Sequence, residues 1–263
     1  NARKILKIAL KQSGEVLLQH FGEPIKSRKK ESISSVVTEA DLASERTIID
    51  ILSSGHESYN IISEESGYID HGSDYTWVVD PLDGTSNFAA GIPWFGIIIA
   101  LMHKNIPVLA AMYLPADDHL YMAESGKGAW KNGNPIHVTT STELGEQLVV
   151  YSFDYSPDPE KTKSEMELMA RLTSRVRNIR STNSLYDFCY MTDARLGAAI
   201  NQTTKIWDIA APWLIIREAG GVVNDINGNE IIFDLSPGSF DRNYTIVASG
   251  AGIHQAIMKL IKN

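Results

Sequence analysis

Disulfide chemistry is excluded at once: the 263-residue chain holds one cysteine, Cys189, so no internal bridge can form. That agrees with a reducing compartment. Cys189 sits in the apolar segment Tyr186-Asp187-Phe188-Cys189-Tyr190-Met191 and reads as a buried, inert thiol. Long apolar runs are also missing. One of the longest, Gly96-Ile97-Ile98-Ile99-Ala100-Leu101-Met102, stops at His103-Lys104 and has the length of a strand. It falls well short of the roughly 18 residues a membrane span needs. No signal-peptide pattern opens the chain. Asn1-Ala2-Arg3-Lys4 also lacks a start methionine, so the chain reads as trimmed, and its expected place is the cytoplasm. Excess positive charge is absent too. The net charge of -8 argues against nucleic acid or an anionic membrane as a bulk partner. It leaves room for a small anionic substrate, because a bound cation reverses the local field. None of the seven histidines has metal-ligand spacing, and no Gly-x-Ser-x-Gly elbow is present.

What is present is ordinary in bulk, with 43% hydrophobic and 21% charged residues, enough for one large domain. The domain reads as two lobes, residues 1–145 and 146–263. Helical periodicity is expected over 2–21, from Thr38-Glu39-Ala40-Asp41 onward, over 165–172, 184–196 and 207–219, and near the end over 254–261. Strands are expected at 59–62, 77–79, 96–102, 108–113, 120–123, 128–130, 147–153 and 244–248. Asn227-Gly228 between 222–226 and 230–233 predicts a hairpin. Mixed helices and strands without repeats give an α/β layered fold. Lys26-Ser27-Arg28-Lys29-Lys30 reads as a basic loop, solvated or folded over an anion site.

The chemistry concentrates in Trp77-Val78-Val79-Asp80-Pro81-Leu82-Asp83-Gly84-Thr85-Ser86-Asn87-Phe88. An apolar strand runs out on two carboxylates. Pro81 is expected to stop the ladder, and Gly84 to allow a tight turn. Gly84-Thr85-Ser86 can then start a helix whose free N–H groups suit an anion. Carboxylate oxygens are hard ligands of the kind magnesium takes together with water and substrate phosphate. Taken alone, the pair also fits an Asp-Pro turn with an Asp helix cap. Two further acids share the pattern. Glu64-Glu65 ends another apolar strand, and Asp208 stands at the mouth of an apolar helix, Trp207-Asp208-Ile209-Ala210-Ala211. Gly126-Lys127-Gly128 imitates a dinucleotide loop but has Lys131 where a third glycine is needed, so it reads as a hairpin.

Together, Ser63-Glu64-Glu65-Ser66, the 80–88 segment, and Trp207–Ala211 followed by Glu218-Ala219-Gly220-Gly221 resemble the signatures of the inositol monophosphatase family. The resemblance runs in order over nearly the whole chain. It implies an αβαβα sandwich of the kind shared with fructose-1,6-bisphosphatases, a homodimer, and lithium-sensitive, Mg2+-dependent hydrolysis of a phosphate monoester, with two or three ions per site. By motif, Glu64, Asp80 and the Leu82 carbonyl hold one ion. Asp80, Asp83 and Asp208 hold a second, and Glu64 touches a third through water. Asp41 and Thr85 orient and activate the attacking water, Gly84 and Thr85 amides bind phosphate, and Lys30 belongs to a mobile loop.

The substrate end departs from the pattern. Inositol-hydrolysing relatives carry Gly-Thr-Ala where this chain has Thr182-Asn183-Ser184 after Arg180-Ser181, and a glutamate where it has Asn201. Asp83, Asn183, Ser184, Asn201 and Asp208 are the candidates for substrate contact. A small phosphorylated polyol or sugar is implied, inositol-1-phosphate first. Fructose-1,6-bisphosphate, histidinol phosphate, NADP and 3'-phosphoadenosine nucleotides are the rivals. Lys205 reads as a solvated lysine or a reader of a second phosphate. Some family members contact transcription machinery, so a regulatory binding role is the reading from another class.

Overall fold

The computed structural model describes residues 2–22, 28–29, 36–55 and 58–262, with 28–29 and 36–37 as backbone only. Its first layer is a helix pair, α1 (Ala2–His20) and α2 (Glu39–Ser53). Two short strands, β1 (Arg28–Lys29) and β2 (Val36–Val37), pair antiparallel between them in sequence.

The second layer is an eight-stranded mixed sheet. It contains β3 (Asn60–Ser63), β4 (Gly67–Ile69), β5 (Tyr75–Asp83), β6 (Gly96–His103), β7 (Ile106–Leu114), β8 (His119–Glu124), β9 (Gly128–Lys131) and β10 (Asn134–Pro135). Their order is β10-β9-β8-β7-β6-β5-β3-β4. The five-residue α3 (Thr85–Ala89) follows β5. A second sheet is built from β11 (Leu148–Ser152), β12 (Asn178–Arg180), β13 (Ala198–Thr204), β14 (Gly221–Asn224) and β15 (Tyr244–Gly250), ordered β12-β11-β13-β15-β14. Helices α5 (Tyr186–Thr192) and α6 (Ile206–Glu218) lie between the sheets. Helices α4 (Pro159–Thr173) and α7 (Ala251–Lys262) cover the outer face of the second sheet. The result is an αβαβα sandwich.

The apolar runs follow from burial on both faces. In β6, Ile97, Ile99 and Leu101 pack toward α1 and α2, while Ile98, Ala100 and Met102 pack toward α6. A strand covered on both sides needs no polar alternation. Helix α6 shows the same logic: ten of its thirteen residues are buried, so it is apolar all round and fits between two sheets. Pro212 inside it removes the N–H that would bond the Asp208 carbonyl.

Several expectations need correcting. Pro81 does not stop the ladder. β5 continues to Asp83, and pairing with β6 slips between Asp80↔Ile98 and Asp83↔Gly96. Pro81 and Leu82 of β5 thus face Ile97 alone, a bulge that accommodates a proline without a donor. Gly96 has no room for a side chain there, since a Cβ would lie 2.3 Å from the Tyr113 carbonyl. The 184–196 helix is shorter than its apolar pattern, ending at Thr192. The Asn227-Gly228 turn forms, with Gly228 N–H on the Asp225 carbonyl at 3.0 Å. It does not close a hairpin, because β14 pairs with β15 and residues 230–233 form no strand. β13 was missed, because its polar second half, Asn201-Gln202-Thr203-Thr204, hides the period. Gly126-Lys127-Gly128 lies in the β8–β9 hairpin, as expected.

Candidate functional site

Four local devices bring the acids together. The first is the end of β5. Asp80, 2% exposed, follows the buried Trp77-Val78-Val79. Its Oδ1 accepts the Leu82 N–H at 3.0 Å across Pro81, and the Pro81 carbonyl accepts the Ser44 hydroxyl of α2 at 2.6 Å. The second is α3. Gly84 takes φ 82°, and a Cβ on it would lie 2.5 Å from the Trp94 carbonyl, so only glycine fits. With five residues, α3 offers amides but little helix dipole.

The third device is the start of α2. Thr38 caps it, accepting the Asp41 N–H at 3.3 Å, while Asp41 Oδ2 accepts the Thr38 N–H at 2.8 Å and the Thr38 hydroxyl. This fixes the fully buried Asp41 with Oδ1 3.1 Å from Thr85 Oγ1. The Thr85 hydroxyl also reaches the Leu82 carbonyl at 2.8 Å. The fourth is the start of α6, where Asp208 Oδ2 accepts the Lys205 N–H at 2.6 Å. Asp83 Oδ2 accepts the Leu185 N–H, and Asn87 Nδ2 donates to the Thr182 carbonyl at 2.8 Å. These two bonds tie the first sheet's loop to the segment before α5.

Carboxylate oxygens of Asp80, Asp83 and Asp208 all fall within 4.8 Å of one another. Burial raises all three above the ordinary carboxylate range. For Asp80 the charges of Glu64, Asp83 and Asp208 raise it further, against the Leu82 amide. Asp83 is pushed up to about 7 by burial, opposed by the Leu185 amide and reinforced by Glu64, Asp187 and Asp154. For Asp208 burial leads, the Lys205 amide opposes, and Asp83, Glu64 and Asp154 add. Like charges this close need a cation or protons. An all-oxygen donor set suits magnesium, calcium or manganese rather than a thiophilic metal. The residues therefore fit the divalent ion their motif implies.

The acids floor a cleft of about 460 Å³. Glu64, Asp80, Leu82, Asp83, Gly84, Thr85, Asn183, Ser184, Asn201, Lys205 and Asp208 all line it. Asp41 stands behind Thr85. Lys30 lies outside the described residues. Two candidates for substrate contact are partly committed. Asn183, at φ 51°, donates through Nδ2 to the Phe153 carbonyl and accepts the Ser181 hydroxyl at 2.7 Å. Asn201 Oδ1 accepts the Thr203 N–H at 2.8 Å, so its amide NH2 is what remains to offer a ligand. Lys205 Nζ donates to the Asp241 carbonyl at 2.5 Å.

Ser152, Asp154, Thr203 and Asp241 also line the cleft and were missed by sequence reasoning. Asp154 had a legible signal: it ends the apolar Val149-Val150-Tyr151-Ser152-Phe153 run, as Asp80 ends β5. Asp187 was missed as well. Its carboxylate accepts Ser152 Oγ at 3.0 Å and Thr182 Oγ1 at 2.9 Å, holding the 182–184 loop.

Residues 2–263 match the inositol monophosphatase family. The chain belongs to this family. The Nus factor SuhB of Haemophilus influenzae is 31% identical over 258 residues, covering 97% of this chain and 93% of that protein. A Thermotoga maritima fructose-1,6-bisphosphatase/inositol-1-monophosphatase is 31% identical over 252 residues, covering 96% and 92%. Among solved structures, the extragenic suppressor protein SuhB from Bartonella henselae superposes with TM-score 0.90 at 27% identity, covering 100% of this chain and 98% of that one. The Thermotoga maritima inositol monophosphatase superposes with TM-score 0.86 at 29% identity, covering 100% and 97%. Membership in the inositol monophosphatase family indicates a metal-dependent phosphatase. No helix among the described residues is long and apolar enough to cross a membrane.

Proposed function

We propose that this chain hydrolyses a small phosphate monoester with magnesium, inositol-1-phosphate first. The observation that carries the reading is the convergence of Asp80, Asp83 and Asp208 beside Thr85, itself standing on the buried Asp41. In this reading Glu64, Asp80 and the Leu82 carbonyl would hold one ion, the Thr85 hydroxyl then turning its single proton from that carbonyl to Asp41. Asp80, Asp83 and Asp208 hold another, and Glu64 reaches a third through water. Bound magnesium supplies charge neutralisation and Lewis acidity at the phosphoryl group. The chain's own groups do the rest. Gly84 and Thr85 amides take phosphate oxygens. Thr85 Oγ1 accepts the attacking water's hydrogen bond, and Asp41 Oδ1 takes up the proton through it. Phosphoryl transfer asks for this kind of positioning more than for covalent help.

The two lobes divide the labour: residues 1–145 bring Glu64 to Thr85, and 146–263 bring Asp208 and the alcohol end. A homodimer completes the proposal. The substrate remains the finer question. Asn201 offers a donor where a glutamate would accept, which favours a substrate with an acceptor oxygen at that place. That keeps fructose-1,6-bisphosphate, histidinol phosphate, NADP and 3'-phosphoadenosine nucleotides as rivals. The test is phosphate release from each of these and inositol-1-phosphate, with magnesium and after chelation. Magnesium-dependent release supports the reading; none from any substrate rejects it.

A second reading, a regulatory binding role, is favoured by the Haemophilus relative's name, Nus factor. It reopens the expectation of no nucleic-acid partner. A pulldown with and without nuclease separates a nucleic-acid-linked assembly from an enzyme acting alone.

A further inference from the structure

We propose that Glu45, a residue outside the cleft, is the positioning residue of the metal site, acting through Glu64. The inference rests on the metal-site reading above. Glu45 lies on α2 and is 3% exposed. A buried carboxylate is costly unless its oxygens are matched by donors. Here they are matched entirely by the turn that carries Glu64. Oε1 accepts the Ser63 hydroxyl, the Glu65 N–H at 3.2 Å and the Ser66 N–H at 3.0 Å. Oε2 accepts the Ser66 hydroxyl at 2.6 Å. The donors bracket Glu64 on both sides. The Glu64 N–H completes the frame by bonding the Val79 carbonyl of β5 at 3.2 Å, next to Asp80.

A carboxylate holding four donors is an anchor, not a metal ligand. The same helix makes two more such attachments. Asp41, four residues earlier on the same face, meets Thr85, and Ser44 meets the Pro81 carbonyl. Three consecutive anchors on one rigid helix thus set the three chain segments that supply Glu64, Asp80 with Leu82, and Thr85. Partners that orient metal ligands in this way typically change metal affinity 10–100-fold when removed.

Calorimetric titration of Mg2+ into the protein and its variants tests this. Phosphate release against Mg2+ concentration, and the unfolding midpoint in chelator, are measured alongside. Glu45→Ala is expected to weaken Mg2+ binding about tenfold or more. The Mg2+ needed for half-maximal release should rise by a similar factor, with KM for the phosphate ester at saturating Mg2+ little changed. Glu45→Gln should stay near wild type, because its oxygen keeps the three Oε1 partners and its NH2 can donate to Ser66 Oγ. Ser66→Ala removes one of the four bonds and should show a smaller loss of the same kind; it decides the matter if Glu45→Ala does not fold. Unchanged Mg2+ affinity in Ser66→Ala and Glu45→Ala, with only a lower unfolding midpoint, overturns the proposal, as does a Glu45→Gln protein as impaired as Glu45→Ala. A wild-type protein that binds no Mg2+ and releases no phosphate overturns the metal reading itself, whatever the variants do.

Discussion

Replacing Asp83 with asparagine should stabilise the metal-free protein at alkaline pH while weakening magnesium-dependent stabilisation. Burial raises the Asp83 carboxyl from 3.8 to about 7, so the folded chain holds a proton there that the unfolded chain has already lost. Between these values folding binds protons, and the stability that this carboxyl contributes falls as pH rises through the window. Each pH unit is worth 1.36 kcal/mol, so the ceiling at pH 8 is about 4 kcal/mol. Asp83 is half-buried, and water reaching it lowers the expected gain to about 2 kcal/mol. Asparagine keeps an acceptor for the Leu185 N–H and removes only the charge. For a chain this size the gain corresponds to roughly 4–8 °C in Tm. The assay is thermal unfolding in chelator at pH 5 and pH 8, then at pH 8 with saturating Mg2+. The variant should gain at pH 8 and about a third as much at pH 5. Magnesium should raise the wild-type Tm more than that of the variant, which keeps only the ion held by Glu64, Asp80 and the Leu82 carbonyl. A variant destabilised equally at both pH values in chelator would refute the electrostatic reasoning.

Gly84→Ala should cost roughly 1–2 kcal/mol from the left-handed backbone alone, more with the Trp94 carbonyl in the way; urea unfolding measures it. Chelation of the wild-type protein should remove about 2.7 kcal/mol if Mg2+ had been present at a hundred times its Kd, read as a drop in Tm that added Mg2+ restores. Asn201→Glu should lower KM for a hydroxyl-rich substrate such as inositol-1-phosphate several-fold and leave kcat nearly unchanged; a change in kcat alone would place Asn201 outside alcohol recognition. Asp41→Asn should cut kcat at least a hundredfold without weakening Mg2+ binding by calorimetry, because it faces Thr85 rather than the metal cluster.

Much was legible in the chain itself. Strands buried on both faces declared themselves as unbroken apolar runs, and α6 as a helix with no polar side, because burial on all sides leaves no period to hide. The acids at 64, 80, 83 and 208 stood out because a carboxylate at the end of such an element is costly without a partner, while Asp41 was named only by the family resemblance. Local chemistry also settled the start of α2 near Thr38 and the glycine at 84. What it could not settle was anything depending on distant partners. The Asn227-Gly228 turn formed without its hairpin, since β15 was the better neighbour for β14. Pro81 sits inside β5 because β6 could absorb a bulge. β13 is a strand despite its polar residues because β11 and β15 flank it. Asn201 looks like a free amide in sequence, and only the fold shows its oxygen turned to Thr203. Residue type and spacing are local, so the chain alone could pick out the acids at 64, 80, 83 and 208 as candidates, and the family resemblance gave them roles. Their convergence across 128 positions, from Asp80 to Asp208, was decided by two sheets packing on one buried helix.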